Sequence, residues 1–347
     1  MKHGNFSVDL SNGPLIADTT TNKETLMKTI QWGVLGCARI ARLQVIPAIL
    51  RCTNARLAAV ASRDPAKLAE FQTLFGGAAP FTAHASYDAL IEDPAIDAVY
   101  LPLPNALHRD WAIRAMRCGK HVLCEKPLAL NSQEAQAMVD TAHECGVLLM
   151  EAFMYRYTDR LRRISEVLGS GVLGKIVSIN STFRFLLDRE HTIKEDAALG
   201  GGAMYDVGCY PLNLISLIAG AEPVSVAVEC DQRNGVDVNL SALLRYEDGM
   251  IASLHCGFNA FGRMHSEIIG SEGMLLAPDT FLDDAGLLTL YDKSGCQQLT
   301  VAQSDRYGAE ISDFSSAILE HRAPKLSLDE SLITMRTLDR IISQVRR

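Results

Sequence analysis

Two short polar groups stand out against a largely apolar background. Glu125 and Lys126 close the run GKHVLCEKP at 119–127, and Asp206, Tyr210 and Asn213 punctuate GGGAMYDVGCYPLN at 200–213. A lysine, a phenol and a carboxylate together can move a proton to or from a hydroxyl or carbonyl oxygen. Free tyrosine titrates near ~10, so a cationic neighbour is needed to favour the phenolate. Lys126 can supply that charge and hydrogen-bond the same oxygen. Asp206 would orient the lysine or a substrate hydroxyl. Asp206 and Tyr210 are four positions apart and Asn213 is three further on, so one helix presents all of them on one stripe. A buried carboxylate without a partner is costly, so the stripe is either functional or a satisfied capping and core network. Glu125 and Lys126 have a plain alternative of their own, a surface ion pair at a strand end.

These residues need elements to position them. Lys120–Cys124 is a short apolar, β-branched run between Gly119 and Pro127, which reads as a buried strand with Glu125 and Lys126 at its carboxyl tip. Ligands of open α/β sheets bind at that edge. From Ile30 the pattern is strand, small-residue turn, helix. Gly36, Ala38 and Ala41 occupy the small positions of the dinucleotide fingerprint G-x-G-x-x-G/A, with Arg39 and Ile40 between them as further cofactor-binding candidates. Alanine replaces the middle glycine. The next strand, Arg56–Ala61, ends in Ser62, Arg63, Asp64 and Pro65. An arginine at this tip accommodates a 2′-phosphate and an acidic side chain binds a 2′-hydroxyl, so Ser62 and Arg63 point to NADP. NAD remains the alternative, with Asp64 on the ribose, although Asp64 followed by Pro65 also fits a helix cap.

Helix and strand continue to alternate: 66–75, 80–83, 86–92, 96–100, 109–118, 132–144 and 147–150. Such alternation with short connections predicts a doubly wound parallel sheet, a Rossmann domain over 30–150. Its loop Leu101–His108 (LPLPNALH) lies at the carboxyl edge, stiffened by Pro102 and Pro104, and offers Leu103, Asn105 and His108 to a cofactor. A surface histidine at a helix start is the alternative for His108. From 151 to 347 the texture changes to an amphipathic helix, a long strand at 175–186, the glycine-led helix from Ala203, and six strand-like runs between Pro223 and Leu299. Helices at 306–320 and 327–344 close the chain, the last able to pack back on the first domain. This second domain reads as α+β with a large, open, mostly antiparallel sheet. A sheet with one uncovered face suits a homodimer or homotetramer interface.

Bulk properties exclude other classes. The 347 residues suffice for two domains, and a net charge of -8 without basic clusters leaves no footprint for nucleic acid. No apolar run approaches the roughly 18 residues of a membrane span. Nine scattered cysteines without a C-x-x-C pair argue against a disulfide framework or a structural zinc site and suit a reducing, cytoplasmic setting. No metal spacing is found. Residues 1–29 lack a signal-peptide pattern and read as a flexible leader.

Taken in order, GVLGCARIA (33–41), LPLPNALH (101–108), GKHVLCEKP (119–127), EAFMYR (151–156) and GGGAMYDVGCYPLN (200–213) resemble the Gfo/Idh/MocA family of NAD(P)-dependent oxidoreductases. The likeness covers about residues 29–345 and is nearest to the sugar and dihydrodiol dehydrogenases. It implies a dehydrogenase or reductase acting on a carbinol or carbonyl carbon of a sugar, cyclic polyol or diol, with NADP as cofactor and NAD as alternative. It further implies that Lys126 and Tyr210, with Asp206 nearby, are catalytic, that Pro127 follows a cis peptide, and that Glu125 and Asn105 line the cofactor site. Lys126 and Arg156 join that cofactor set. Arg156, Phe183, Arg184 and His191 are candidates for reading the substrate. Some branches carry histidine where Tyr210 stands, and Ala38 is the clearest departure. A cofactor-binding sensor and a redox-neutral, cofactor-assisted glycosidase are the alternatives on the same fold.

Overall fold

A computed structural model describes residues 28–188 and 192–345. Most of the leader, residues 1–27, and His191 lie outside the described residues.

Strands with apolar side chains on both faces need cover on both faces, and the first half supplies it by alternation. The elements are β1 (Ile30–Leu35), α1 (Ile46–Arg51), β2 (Ala55–Ala61), α2 (Pro65–Phe75), β3 (Thr82–His84), α3 (Tyr87–Ile91), β4 (Ala98–Leu101), α4 (His108–Arg117), β5 (His121–Glu125), α5 (Ser132–Cys145) and β6 (Leu149–Ala152). The six strands are parallel in the order β3-β2-β1-β4-β5-β6. The order reverses between β1 and β4, which opens a crevice at their carboxyl ends. Val34 and Leu35 of β1, all of β4, and Val122, Leu123 and Cys124 of β5 are fully buried. Local chemistry sets the helix starts. Asp64 accepts the N–H groups of Ala66 and Lys67 to cap α2, and Asn131 accepts that of Glu134 to cap α5.

The second half adds α6 (Asp159–Gly169), β7 (Ile176–Leu186), α7 (Cys209–Ala219), β8 (Ser225–Arg233), β9 (Val236–Arg245), β10 (Ile251–Gly257), β11 (Asn259–Gly270), β12 (Met274–Pro278), β13 (Gly286–Asp292), β14 (Gly295–Val301), α8 (Arg306–Glu320) and α9 (Leu328–Val345). The sheet order is β14-β13-β12-β11-β7-β10-β9-β8, antiparallel except between β7 and β10. Helix α7 packs on β7 and β10 from one side. On the other face Asn180 bridges Ser253 and Glu267 through side-chain hydrogen bonds of 2.6 and 2.9 Å, flanked by exposed Leu243, Ile251, Leu287 and Tyr291.

Helices α8 and α9 return to the first sheet. The Trp32 indole N–H donates to Ser315 Oγ at 3.1 Å with the Phe314 ring 5.7 Å away, and the Ser132 N–H donates to Asp339 Oδ2 at 2.7 Å.

Two details depart from the sequence reading. Strand β14 is an exposed edge with one buried side chain, Val301, so it lacks the apolar signature of its neighbours. Helices α1 and α7 are each preceded by a π-wound turn, Ala41–Val45 and Met204–Gly208, rather than by regular α-helix throughout. Pro47 and Pro211 follow these turns, and neither has an N–H to give to a carbonyl in the preceding turn.

Candidate active site

The turn after β1 is built for close approach. Gly36 has φ +113°, a region that side chains disfavour, and a Cβ there would stand 3.1 Å from Leu103 Cδ2. The first intrahelical bond beyond it runs from Arg42 N–H to Ala38 O at 3.1 Å, so the N–H groups of Arg39, Ile40 and Ala41 have no partner in the helix. Unpaired amides at a helix start beside a glycine turn are a phosphate cradle, and the residues present fit a dinucleotide. Ala38 keeps only a methyl at the cleft wall.

At the tip of β2, Ser62 is buried and its hydroxyl accepts the Asp64 N–H. Arg63 is exposed, its guanidinium 5.5 Å from the Tyr87 ring centroid. Asp64 is occupied as the cap of α2.

A cleft of about 720 Å³ opens at the carboxyl edge of the first sheet. It is lined by Ala38, Arg39, Ile40, Leu103, Asn105, Glu125, Lys126, Asp206 and Tyr210 among the residues singled out from sequence, with Phe183. Residues from both halves of the chain thus meet there. The Lys126–Pro127 peptide is cis. Lys126 Nζ donates to the Asp206 backbone carbonyl at 2.6 Å, stands 3.5 Å from Asp206 Oδ1, and lies 5.1 Å from the Tyr210 ring centroid. That carbonyl belongs to the π-wound turn, where the N–H five residues on would be its partner, and residue 211 is proline.

Charge balance follows from these contacts. Burial disfavours the Lys126 charge, but Asp206, with Cys209 and Glu125, outweighs it and holds the ammonium above its ordinary range. Burial likewise opposes the Asp206 charge, yet Lys126 and Lys194 together keep its carboxyl below the usual value. Burial raises Glu125, partly offset by Lys126 and by the Tyr100 hydroxyl, which donates to Glu125 Oε1 at 2.5 Å. Tyr210 sits among Phe153, Tyr155, Phe183 and Phe281, with ring centroids 5.3–5.9 Å away, and its hydroxyl donates to the weak acceptor Met154 Sδ at 3.4 Å. Burial pushes this phenol well above its ordinary range. The Lys126 cation lies over the ring face, and burial favours the protonated phenol, against the pull toward phenolate expected from a cationic neighbour.

Asp237 of β9 holds the start of this helix. Its buried carboxylate accepts the Met204 N–H at 2.7 Å. Burial pushes it up to about 6, against the pull of the Met204, Asp237 and Ala203 amides.

Other candidates are placed elsewhere. His108 is fully buried, with both ring nitrogens 2.9 Å from carbonyl oxygens, those of Leu103 and Pro127. It ties the Leu101–His108 loop to the turn after β5 instead of facing a cofactor, and burial pushes its imidazole down. Arg156 is buried beside Asn213 and pairs with Glu330 of α9 at 3.1 Å, away from the cleft. Asn213 accepts the Tyr155 hydroxyl at 2.6 Å and is part of a satisfied core network. Arg184 points to the uncovered sheet face, donating to Asn239 at 3.2 Å. Asn105 does face the cleft, and its amide donates to Gly200 O at 2.8 Å.

Sequence reasoning missed Lys194, Met154 and Tyr307, all in the cleft wall. Lys194 is the consequential one. Its ammonium pairs with Asp206 Oδ2 and lies 5.5 Å from the Phe185 ring and 5.9 Å from that of Phe258. It sits in an irregular polar stretch without periodicity, so no pattern could single it out. Among the described residues no cluster of potential metal ligands occurs, all nine cysteines are free, and no helix is long and apolar enough to cross a membrane.

Residues 30–153 match the oxidoreductase family with an NAD-binding Rossmann fold, and residues 161–276 match the GFO/IDH/MocA C-terminal domain. The chain is 37% identical over 317 residues to D-xylose 1-dehydrogenase (NADP(+)) 2 of Haloferax volcanii, covering 90% of this chain and 96% of that protein. It is 32% identical to a dTDP-3,4-didehydro-2,6-dideoxy-alpha-D-glucose 3-reductase of Actinomadura kijaniata, covering 91% and 96%. A crystal structure of a 3-ketoreductase from that organism, in complex with NADP and TDP-benzene, superimposes with a TM-score of 0.84 at 31% identity, covering 91% of this chain and 98% of that one. The chain belongs to the Gfo/Idh/MocA family, and it is an NAD(P)-dependent oxidoreductase.

Proposed function

We infer that this enzyme is NADP-preferring and exchanges a hydride with a carbinol or carbonyl carbon of a sugar, cyclic polyol or diol. The observation that carries this reading is the convergence of Lys126, Asp206 and Tyr210 in one cleft whose far end is the glycine turn of β1. A bound nicotinamide supplies the hydride donor or acceptor. Lys126 offers a fixed positive charge to the substrate oxygen. Tyr210 gives that oxygen its proton as the carbonyl is reduced, and recovers it in the oxidising direction. Asp206 keeps Lys126 ionised and aimed. Glu125, joined to Tyr100, borders the cofactor side, and His108 positions the loop that carries Leu103 and Asn105. A pure sensor has no need of this acid–base set.

The cofactor preference rests on the tip of β2. Asp64 is committed to capping α2, which leaves exposed Arg63, beside Ser62, to meet a 2′-phosphate. The relative named for NADP is in keeping with that. Following reduced-nicotinamide absorbance over a panel of sugars, inositols and diols, with NAD and NADP side by side, tests the activity. NADP-linked turnover is expected, and hydrolysis without redox change would overturn it. Arg63→Ala is expected to weaken NADPH binding more than NADH binding, and equal losses would remove the 2′-phosphate assignment.

The uncovered face of the eight-stranded sheet is a self-association surface in this reading, because exposed Leu243, Ile251, Leu287 and Tyr291 flank its polar ladder. Sedimentation velocity should show a dimer or tetramer that Leu243→Glu with Tyr291→Glu dissociates. A monomeric wild-type protein refutes it.

A further inference from the structure

Lys194 closes a ring of contacts around the proposed acid–base set. Its backbone carbonyl accepts the Gly202 N–H at 2.8 Å, the Gly202 carbonyl accepts the Asp206 N–H at 3.0 Å, and the Asp206 carboxylate returns to the Lys194 ammonium. The short turn Ile193–Glu195 is thereby laced to the glycine-led start of the helix that carries Asp206 and Tyr210. That lacing leaves no slack, since a Cβ on Gly201 would stand 2.6 Å from the Lys194 carbonyl oxygen. Aromatic faces of Phe185 and Phe258 confine the ammonium further.

The two carboxylate oxygens of Asp206 are divided between two lysines. Oδ2 is held by Lys194 and Oδ1 faces Lys126, while the Asp206 backbone carbonyl takes the Lys126 ammonium directly. A carboxylate with one partner can swing about its terminal bond; with a partner on each oxygen it cannot. Two ammonium groups thus converge on the single Asp206 carboxylate.

We propose that Lys194 is a positioning residue of the reaction, which acts through Asp206 by pinning Oδ2 so that Oδ1 and the backbone carbonyl keep Lys126 aimed at the substrate oxygen. This deepens the functional reading above and rests on it for its kinetic consequence. The charged and titratable groups that face Asp206 are Lys126 and Glu125 at the end of β5, Lys194 on its turn, Cys209 on the same helix and Cys256 on β10. Of these, the two lysines stabilise its charge. Removing Lys194 therefore raises the proton affinity of the Asp206 carboxyl and moves the acid limb of the pH profile upward.

The test has one readout that needs no substrate. In aspartate-labelled protein, carboxyl ¹³C NMR should show Asp206, assigned through Asp206→Asn, titrating higher in Lys194→Met than in wild type and near the wild-type position in Lys194→Arg. Unchanged titration in Lys194→Met overturns the proposal. With substrate, Lys194→Met should lower kcat about ten- to hundredfold, the value of a lost hydrogen bond to a charged group, with NADPH binding unchanged. Lys194→Arg should recover most of that loss. The double variant Lys194→Met with Asp206→Asn should be no slower than Asp206→Asn alone. Additive losses would mean that Lys194 acts on its own and would sink the proposal. If wild-type protein turns over no sugar, polyol or diol, the functional reading fails, and the Asp206 titration still decides the role of Lys194.

Discussion

Asp237 offers a test of how the site is assembled. Its carboxylate is buried at the start of the helix bearing Asp206 and Tyr210 and accepts the Met204 N–H. Burial moves it from an ordinary 3.8 up to about 6. Below the ordinary value both folded and unfolded chains hold the proton. As pH rises the unfolded chain releases it first, so this group's contribution to stability is fully present in acid and is lost by the time pH passes the folded value. Each tenfold change in proton affinity is worth about 1.4 kcal/mol, so the whole loss is about 3 kcal/mol, of which about 2 falls between about pH 4.5 and 7.5. Asp237→Asn retains an acceptor for Met204 and cannot titrate. Urea unfolding of both proteins at the two pH values, followed by circular dichroism, gives the difference of differences. Other titrating groups are common to both proteins and cancel. Wild type should lose about 2 kcal/mol relative to Asp237→Asn on going from acid to neutral. A constant offset between the two proteins would refute the reasoning and show that the helix cap, not buried charge, governs the position.

Tyr210→Phe and Lys126→Met should each lower kcat by about 10² to 10⁴ while NADPH still binds, as seen in steady-state rates beside fluorescence titration. Because Tyr210 and Lys126 are both held above their ordinary ranges, carbonyl reduction should show no alkaline limb near pH ~10, where free tyrosine and lysine titrate; a limb there would mean that the phenol is accessible to water. Gly36→Ala forces a side chain into φ +113° and against Leu103, so it should cost about 1–3 kcal/mol and weaken dinucleotide binding, read by melting temperature and titration. Glu151, which accepts the Leu128 N–H at 2.9 Å and is pushed up to about 7 by burial, loses its stabilising proton as pH rises toward neutrality. Glu151→Gln should therefore flatten the fall in melting temperature between acid and neutral pH.

Much of the architecture could be read ahead of the structure because parallel strands buried on both faces announce themselves. Trp32, Val34, Val99 and Leu123 leave little room for another reading, and glycine or proline marks nearly every turn around them. Edge strand β14 escaped because burial of Val301 alone makes no alternation. The π-turns escaped because side-chain periodicity does not record which carbonyl each amide meets; Pro47 and Pro211 were the available hints. Residue type also says little about direction. Arg156 and His108 carry chemistry in principle, yet one is locked against Glu330 and the other between two carbonyls. Lys194 shows the converse, an unremarked lysine in an irregular stretch that folds into the centre of the charge network.

The return of the last two helices has a consequence for biosynthesis. Trp32, in the first strand, finishes its packing against Phe314 and Ser315, and Ser132 at the start of α5 is tied to Asp339. A ribosome extends the chain at about 5–20 residues per second, so the nucleotide-binding half must wait many seconds for the helices that complete its surface. During that interval an indole and its apolar neighbours remain uncovered, open to chaperones or to another nascent chain. A fragment ending near residue 150 would keep that exposed surface permanently, so a minimal nucleotide-binding module should be built with α8 and α9 supplied, in cis or as a separate peptide.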